Sequence, residues 1–79
     1  MIKYEKLPSH LRDGIRLYIE YKIKPGQFLT AVLENNLSQA VNRADDNSLS
    51  NLKEIVCFVY NDLPGNCWGS PDRVRGWLQ

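Results

Sequence analysis

The sequence predicts an all-α fold: a compact bundle of four or five short helices around a central helix over about residues 49–62. Two observations predict it. In four segments the apolar residues recur at spacings of three and four, which places them on one face of a helix. Clusters of Pro, Gly, Asn and Asp separate these segments, and no stretch alternates between apolar and polar residues as a strand does. Residues 1–79 are expected to form a single helical domain.

The central helix is predicted from its wide apolar face. A stripe at the helical spacing is widened to more than half of the circumference by three further side chains, and the whole set is Leu49, Leu52, Ile55, Val56, Cys57, Phe58, Val59 and Leu63. A helix that is apolar nearly all round is buried. Cys57 is therefore expected in the core. A disulfide to Cys67 is possible in an oxidising preparation, but cytosolic thiols are normally reduced.

The N-terminal third is predicted to hold an arm and a first helix. Residues 1–7 are expected to lie across the body as an extended arm through Ile2, Tyr4 and Leu7. Ser9 is the expected N-cap of the first helix, whose apolar face is Leu11, Ile15, Tyr18 and Ile19. Gly14 indicates a close helix crossing. Lys24-Pro25-Gly26 is the expected stop.

The second helix is expected to begin near Gly26 and to pack against the first as a helical hairpin, because the break between them is short. Its apolar face is Phe28, Leu29, Val32 and Leu33. Asn35-Asn36 leaves two alternatives: one kinked helix, or a break followed by a short third helix over about 37–44, in which Leu37, Ala40, Val41 and Ala44 continue the helical pattern and Ser38 or Asn36 is the cap. The break is favoured.

Two further clusters are typical of helix starts. Asp45-Asp46-Asn47-Ser48 is predicted to cap the central helix, where acidic side chains complement the helix dipole. Ser70 as N-cap, Pro71 at the first helical position and Asp72 in the first turn predict a last helix over residues 71–78. That helix is expected to bury Val74, Trp77 and Leu78.

Composition excludes several functions. The net charge is +1, too small to indicate a polyanionic partner. No apolar run is long enough to cross a bilayer, and the charged N-terminus does not have the pattern of a signal peptide, so a cytoplasmic protein is expected.

Two cysteines and one histidine cannot form a four-ligand zinc site. His10 has no recognisable nucleophile partner and is expected on the surface. We therefore expect no enzyme activity, metal or cofactor.

Three pieces of the chain carry a resemblance: residues 25–37, residues 43–47, and residues 67–77, which begin Cys67-Trp68-Gly69-Ser70-Pro71. Together they resemble small uncharacterised proteins encoded by bacteriophages and prophages. The resemblance implies a phage accessory protein in the cytoplasm of a bacterial host, which acts by binding a host or defence protein, with inhibition of that protein as one outcome. No activity is established for that group, so no functional residue is carried over.

Trp68 is the main candidate for partner binding. It lies in a loop between two breaker clusters, and Trp and Arg are enriched in binding hot spots. Two interpretations remain for Trp68: a core residue, which is favoured in so small a domain, or a surface anchor. The residues predicted to contact a partner are Trp68, Arg73, Arg12 and Arg16.

The alternative function is nucleic-acid binding through a helix-turn-helix over residues 26–44. A recognition helix presents Arg, Lys, Asn or Gln to base edges, and this one offers Gln39, Asn42 and Arg43. Asp45 and Asp46 follow at once and would repel phosphates. The sequence therefore favours a protein partner over a nucleic acid.

Overall fold

The computed structural model describes residues 2–79, and Met1 lies outside them. A 3₁₀ turn at Tyr4–Lys6 precedes six α-helices: α1 (Ser9–Tyr21), α2 (Gln27–Leu33), α3 (Leu37–Arg43), α4 (Asp46–Ser50), α5 (Leu52–Asp62) and α6 (Pro71–Leu78). Residues 2–79 contain no strand, so the predicted all-α fold is confirmed. The body measures 31 × 26 × 19 Å. In this part of the chain no helix has the length and apolarity that crossing a membrane requires.

The hydrophobic core takes most of its side chains from α1, α2 and α5. Its members are Leu7, Leu11, Ile15, Tyr18, Leu29, Ala31, Val32, Leu33, Ala40, Ile55, Phe58, Val59, Leu63, Cys67 and Val74. α2 buries four of its seven residues, and α1 and α5 bury three each. Burying one large apolar side chain contributes roughly 1.5–3 kcal/mol, so these three helices dominate the stabilisation of the fold.

The helix predicted over residues 49–62 is divided into α4 and α5. Asp45 begins α4, because its carboxylate accepts the Ser48 backbone N–H at 2.7 Å. That bond also holds the pKa of Asp45 below its ordinary value. At the other end, the Asn51 side-chain amide donates to the Asn47 carbonyl at 2.8 Å, which competes with the helical ladder. Asn51 accordingly leaves helical geometry (φ −108°, ψ 15°). The division makes six helices where four or five were predicted.

The division also changes which residues of this region are buried. α5 directs Ile55, Phe58 and Val59 into the core, and Cys57 lies on the opposite side of the helix, where it is exposed. The prediction that Cys57 is a core residue is therefore wrong. Leu49 precedes the break and is 48% exposed, so it does not continue the predicted stripe.

The N-terminal segment packs against the body, but the extended arm predicted for residues 1–7 is wrong. Tyr4–Lys6 form a 3₁₀ turn, and Leu7 is buried in the core. Arg12 holds the segment in place, because its guanidinium donates to the carbonyls of Glu5 (3.1 Å) and Leu7 (2.9 Å).

Both ends of α1 differ from the prediction, although its apolar face is buried as expected. Pro8 is the N-cap and Ser9 is already helical, since the Leu11 N–H donates to the Pro8 carbonyl at 2.9 Å. The helix ends at Tyr21, before the predicted stop at residues 24–26. Lys22 adopts a left-handed conformation (φ 57°) in which its own N–H bonds back into the last turn.

Gly14 marks a close helix crossing, as predicted. A Cβ at Gly14 would lie 3.3 Å from Cδ1 of Leu29 on α2. The predicted hairpin of the first two helices is wrong, however, because the backbone of α2 packs chiefly against α3 and α6. Residues 22–26 separate α1 from α2 in the chain, and both helices contribute side chains to the same core.

The favoured break between α2 and α3 is confirmed. Asn35 has a left-handed backbone (φ 62°), and the Asn36 side chain caps α3 by accepting the Gln39 N–H at 3.2 Å. The apolar side of α3 is largely exposed. Leu37 is 54% exposed and Val41 is 45% exposed, and Ala40 is the one residue of this helix that is buried in the core.

α6 spans the predicted residues and has the predicted cap. The Ser70 hydroxyl accepts the Arg73 N–H at 3.2 Å. Val74 is buried, while Trp77 and Leu78 are only partly buried against the core. The Trp77 indole N–H donates to the Tyr18 carbonyl at 2.8 Å, which fastens the C-terminal helix to α1.

Candidate interaction surface

Residues 63–70 connect α5 to α6, and Cys67 anchors this connection in the core. The Tyr18 hydroxyl donates to the Cys67 carbonyl at 2.6 Å, and the Cys67 thiol donates to the Pro64 carbonyl at 3.1 Å. Burial raises the pKa of Cys67 to about 11, and it also raises the pKa of Tyr18. Both groups therefore stay protonated and keep their hydrogen bonds at neutral pH.

Gly69 fixes the backbone on the other side of Trp68. Its N–H donates to the Leu33 carbonyl, on α2, at 2.7 Å. Its φ of +118° is a conformation that a residue with a Cβ rarely adopts. Hydrogen bonds to α1 at Cys67 and to α2 at Gly69 thus fix the backbone on both sides of Trp68. These bonds position Trp68 in addition to the contacts of its own side chain.

Trp68 is partly buried, so its position lies between the two that were considered, in the core and at the surface. One part of the side chain packs against the core, and the indole stacks on the ring of Tyr60 with centroids 4.4 Å apart and planes inclined by 28°. Tyr60 is 47% exposed, and its hydroxyl donates to the Asn35 side-chain oxygen at 2.8 Å. The stack therefore presents a flat aromatic face whose outer member is open to solvent.

Tyr60 was missed by the sequence prediction. The available signal was its position, since it is a large aromatic residue on α5 that lies off the apolar stripe. The Trp68 indole nitrogen is shielded from solvent and has no acceptor within residues 2–79. An unpaired buried donor costs about 1–3 kcal/mol, which offsets part of the stabilisation that the packing of the indole against the core contributes.

Arg73 lies over Gly69, next to Trp68. Its guanidinium donates to the Gly65 carbonyl at 3.0 Å, and a Cβ at Gly69 would meet Nη1 of Arg73 at 3.4 Å. Tyr60, Trp68 and Arg73 together are called the aromatic surface below. All three residue types are enriched in binding hot spots.

The other two predicted residues, Arg12 and Arg16, lie on α1. Arg12 bonds to carbonyls of the N-terminal segment. Arg16 lies 3.9 Å from a carboxylate oxygen of Asp13 and 3.9 Å from one of Glu20. No hydrogen bond or ion pair within residues 2–79 connects these two arginines to the aromatic surface. The structure therefore places Arg73 over Gly69, the chain neighbour of Trp68, whereas Arg12 and Arg16 bond within the N-terminal segment and α1.

His10 is exposed, as predicted, but it has a hydroxyl and a carboxylate for neighbours. Its Nε2 lies 3.1 Å from Ser48 Oγ and 3.8 Å from Asp45 Oδ2. A catalytic triad places the carboxylate at one ring nitrogen and the nucleophile at the other, whereas both contacts here fall on the same nitrogen. Ser48 is 3% exposed and cannot reach a substrate. The cluster fits a structural tie between α1 and α4.

Metal binding has no candidate group of ligands in residues 2–79, where no three His, Cys, Asp or Glu side chains are placed together around a possible ion. Comparisons with models of protein families, with curated proteins and with solved structures find no match to this chain.

Proposed function

We propose that the protein is a non-enzymatic interaction module that binds another protein through the aromatic surface. The observation that carries the proposal is the stack of Tyr60 on Trp68, half open to solvent and attached to a backbone held at Cys67 and Gly69. A rigid aromatic pair loses little conformational entropy when it binds, and it offers a large contact area. Arg73 adds a charged group at the edge.

The resemblance to phage-encoded proteins supplies the biological setting of this proposal. In that setting the chain is an accessory protein in the cytoplasm of a bacterial host. The partner is a host protein, such as a defence protein, or another phage protein, and binding inhibits it. The proposal requires neither a cofactor nor a metal.

Quantitative capture from a bacterial extract tests the proposal with a matched pair of variants. Tyr60→Ala removes the exposed half of the stack. Tyr21→Ala is the control, because Tyr21 is also an exposed tyrosine (62%) but lies at the end of α1. We expect one partner to be retained by wild type and by Tyr21→Ala, and to be bound at least about tenfold more weakly by Tyr60→Ala, as for a hot-spot residue. Circular dichroism confirms that both variants are folded. Equal retention of every protein by the two variants contradicts the proposal.

Nucleic-acid binding is a second candidate, and one observation favours it. α2 and α3 are joined by a three-residue turn that contains the left-handed Asn35, and α3 is exposed along most of its length, as a recognition helix must be. Gln39, Asn42 and Arg43 are its exposed polar groups that are able to read bases. Asp45 and Asp46, directly beyond the helix, weigh against this candidate.

A gel-retardation series in increasing salt separates the two candidates. DNA binding predicts a retarded duplex at low salt, a steep loss of affinity as salt rises, and loss of the complex in Asn42→Asp. It also predicts that Tyr60→Ala binds the duplex normally. The favoured function predicts no retardation with either variant or with wild type.

A further inference from the structure

We propose that the cleft between α2 and α3 is a binding site for a single carboxylate group. The cleft has a volume of about 240 Å³, and its polar lining includes Lys24, Gln27, Glu34, Gln39 and Arg43. It shares no residue with the aromatic surface. The inference therefore goes beyond the proposed function and does not depend on it.

Arg43 is the central group of this site, because two neutral side chains orient its guanidinium. Nε donates to Gln39 Oε1 at 3.2 Å, within α3, and Nη1 donates to Gln27 Oε1 on α2. These bonds hold the guanidinium across the two helices, and Nη2 makes no hydrogen bond within residues 2–79. A guanidinium held this way keeps part of its planar fork available for an external acceptor.

Arg43 makes no ion pair within the described chain. Arg16 and Arg75 lie beside carboxylates, on Glu20 and Asp72 respectively. Arg43 is instead held only by amide oxygens, as Arg12 and Arg73 are held only by carbonyls. Lys24 takes part in no ion pair within residues 2–79 either. Two cations without an ion pair, with one carboxylate on Glu34, therefore line one cleft.

A carboxylate is the acceptor that this arrangement fits. It can take two parallel N–H bonds from a guanidinium, and Lys24 adds a second cation near the same space. Glu34 lies in the lining, and Asp45 and Asp46 follow α3, so a polyanion such as a nucleic acid would bring several phosphates close to three carboxylates. A single Asp or Glu side chain, or one C-terminal carboxylate, avoids that repulsion.

Amide-resolved NMR titration tests the site without any knowledge of the natural partner. Three N-acetylated peptides serve as probes. Two have an amidated C-terminus, acetyl-Gly-Glu-Gly-amide and its neutral counterpart acetyl-Gly-Gln-Gly-amide, and the third is acetyl-Gly-Gly-Gly with a free C-terminal carboxylate. We expect at least one carboxylate peptide to produce saturating shifts at the Arg43 Nε–H and at the Gln27 and Gln39 side-chain amides. The neutral peptide produces none. Comparison of the first and third probes shows which source of carboxylate the site takes.

Two variants with the same change in charge provide the control. Arg43→Gln is expected to weaken binding at least about tenfold, because a charge-assisted bidentate contact is lost. Arg75→Gln, at an exposed arginine already paired with Asp72, leaves binding unchanged. The proposal is overturned by equal shifts with the neutral peptide, by undiminished binding in Arg43→Gln, or by an absence of saturating shifts with both carboxylate peptides. It is also overturned if duplex DNA shifts these resonances at concentrations where neither carboxylate peptide does.

Discussion

The connection of residues 63–70 and helix α3 differ in what holds each of them in place. Burial in the core holds the connection, whereas helical hydrogen bonds hold α3. The connection has no regular secondary structure, yet Cys67 is fully buried, and the Tyr18 hydroxyl on α1 and the Leu33 carbonyl on α2 each hydrogen-bond to the backbone of the connection. α3 is a regular, capped helix, yet its two large apolar residues, Leu37 and Val41, are about half exposed. Helices of two turns have little stability of their own. We therefore expect burial in the core, more than regular secondary structure, to decide which of the two segments is rigid.

The two cysteines offer the sharpest test of this difference. Cys57 is exposed on a helix, whereas Cys67 is buried in the connection with its pKa raised to about 11. We expect a thiol reagent at pH 8 to modify Cys57 at once, and Cys67 more slowly by a factor of roughly 10² or more, since a few kcal/mol of opening free energy must first be supplied. Mass spectrometry of quenched time points gives both rates. Similar rates would mean that the connection opens as easily as a surface loop.

Trp68→Ala is expected to destabilise the fold substantially. Truncation of a buried Trp costs about 3–5 kcal/mol, and because part of the indole faces Tyr60 at the surface we expect about 2–3 kcal/mol on the same scale. A loss of this size is a large fraction of the stability of so small a domain. Urea unfolding followed by circular dichroism gives the value. A loss below about 1 kcal/mol, within the range of surface substitutions, would mean that Trp68 is a surface group only.

Alkaline pH is expected to weaken the fold through the same connection. The Cys67 thiol ionises near its ordinary pKa of about 8.5 in the unfolded chain but at about 11 in the fold. Between these two pKa values the unfolded state binds fewer protons than the fold. The contribution of the protonated Cys67 thiol to the free energy of unfolding is therefore complete below about pH 8.5 and is lost as pH rises toward 11. Tyr18, whose pKa is also raised, acts in the same direction. Urea midpoints at pH 8, 9 and 10 measure the slope, which should be flatter in Cys67→Ala and unchanged in Cys57→Ser.

Tyr18→Phe isolates the hydrogen bond that fastens Cys67. The phenol donates to the Cys67 carbonyl at 2.6 Å, and Tyr18 is completely buried. Loss of the hydroxyl leaves a buried carbonyl without this donor, so we expect a destabilisation of about 1–2 kcal/mol. Tyr21→Phe is the matched control, because Tyr21 is 62% exposed, and it should change the free energy of unfolding by less than about 0.5 kcal/mol. Equal effects of the two substitutions would exclude a structural role for the Cys67 bond.

The sequence predicted those parts of the fold that local signals encode. Asn36, Asp45 and Ser70 cap helices as expected, because a cap needs only its own turn. The burial of Cys57 could not be predicted correctly, because apolar periodicity continues across residues 49–63 and conceals the break at Asn51. The stack of Tyr60 on Trp68 and the bond from Tyr18 to Cys67 join residues far apart in the sequence, and periodicity contains no information on such pairs.

The smallest effect is expected in α3. Leu37→Ala removes a side chain that is 54% exposed, so we expect the free energy of unfolding to change by less than about 0.5 kcal/mol. Leu33→Ala, at the last residue of α2, removes a leucine with no exposed surface and should cost about 2–5 kcal/mol. Urea unfolding at two protein concentrations measures both. If Leu37→Ala costs more than about 1 kcal/mol, and if that cost grows with protein concentration, the apolar side of α3 is covered by a second copy of the chain in solution. The exposed state of α3, on which the contrast with residues 63–70 depends, would then hold only for the isolated chain.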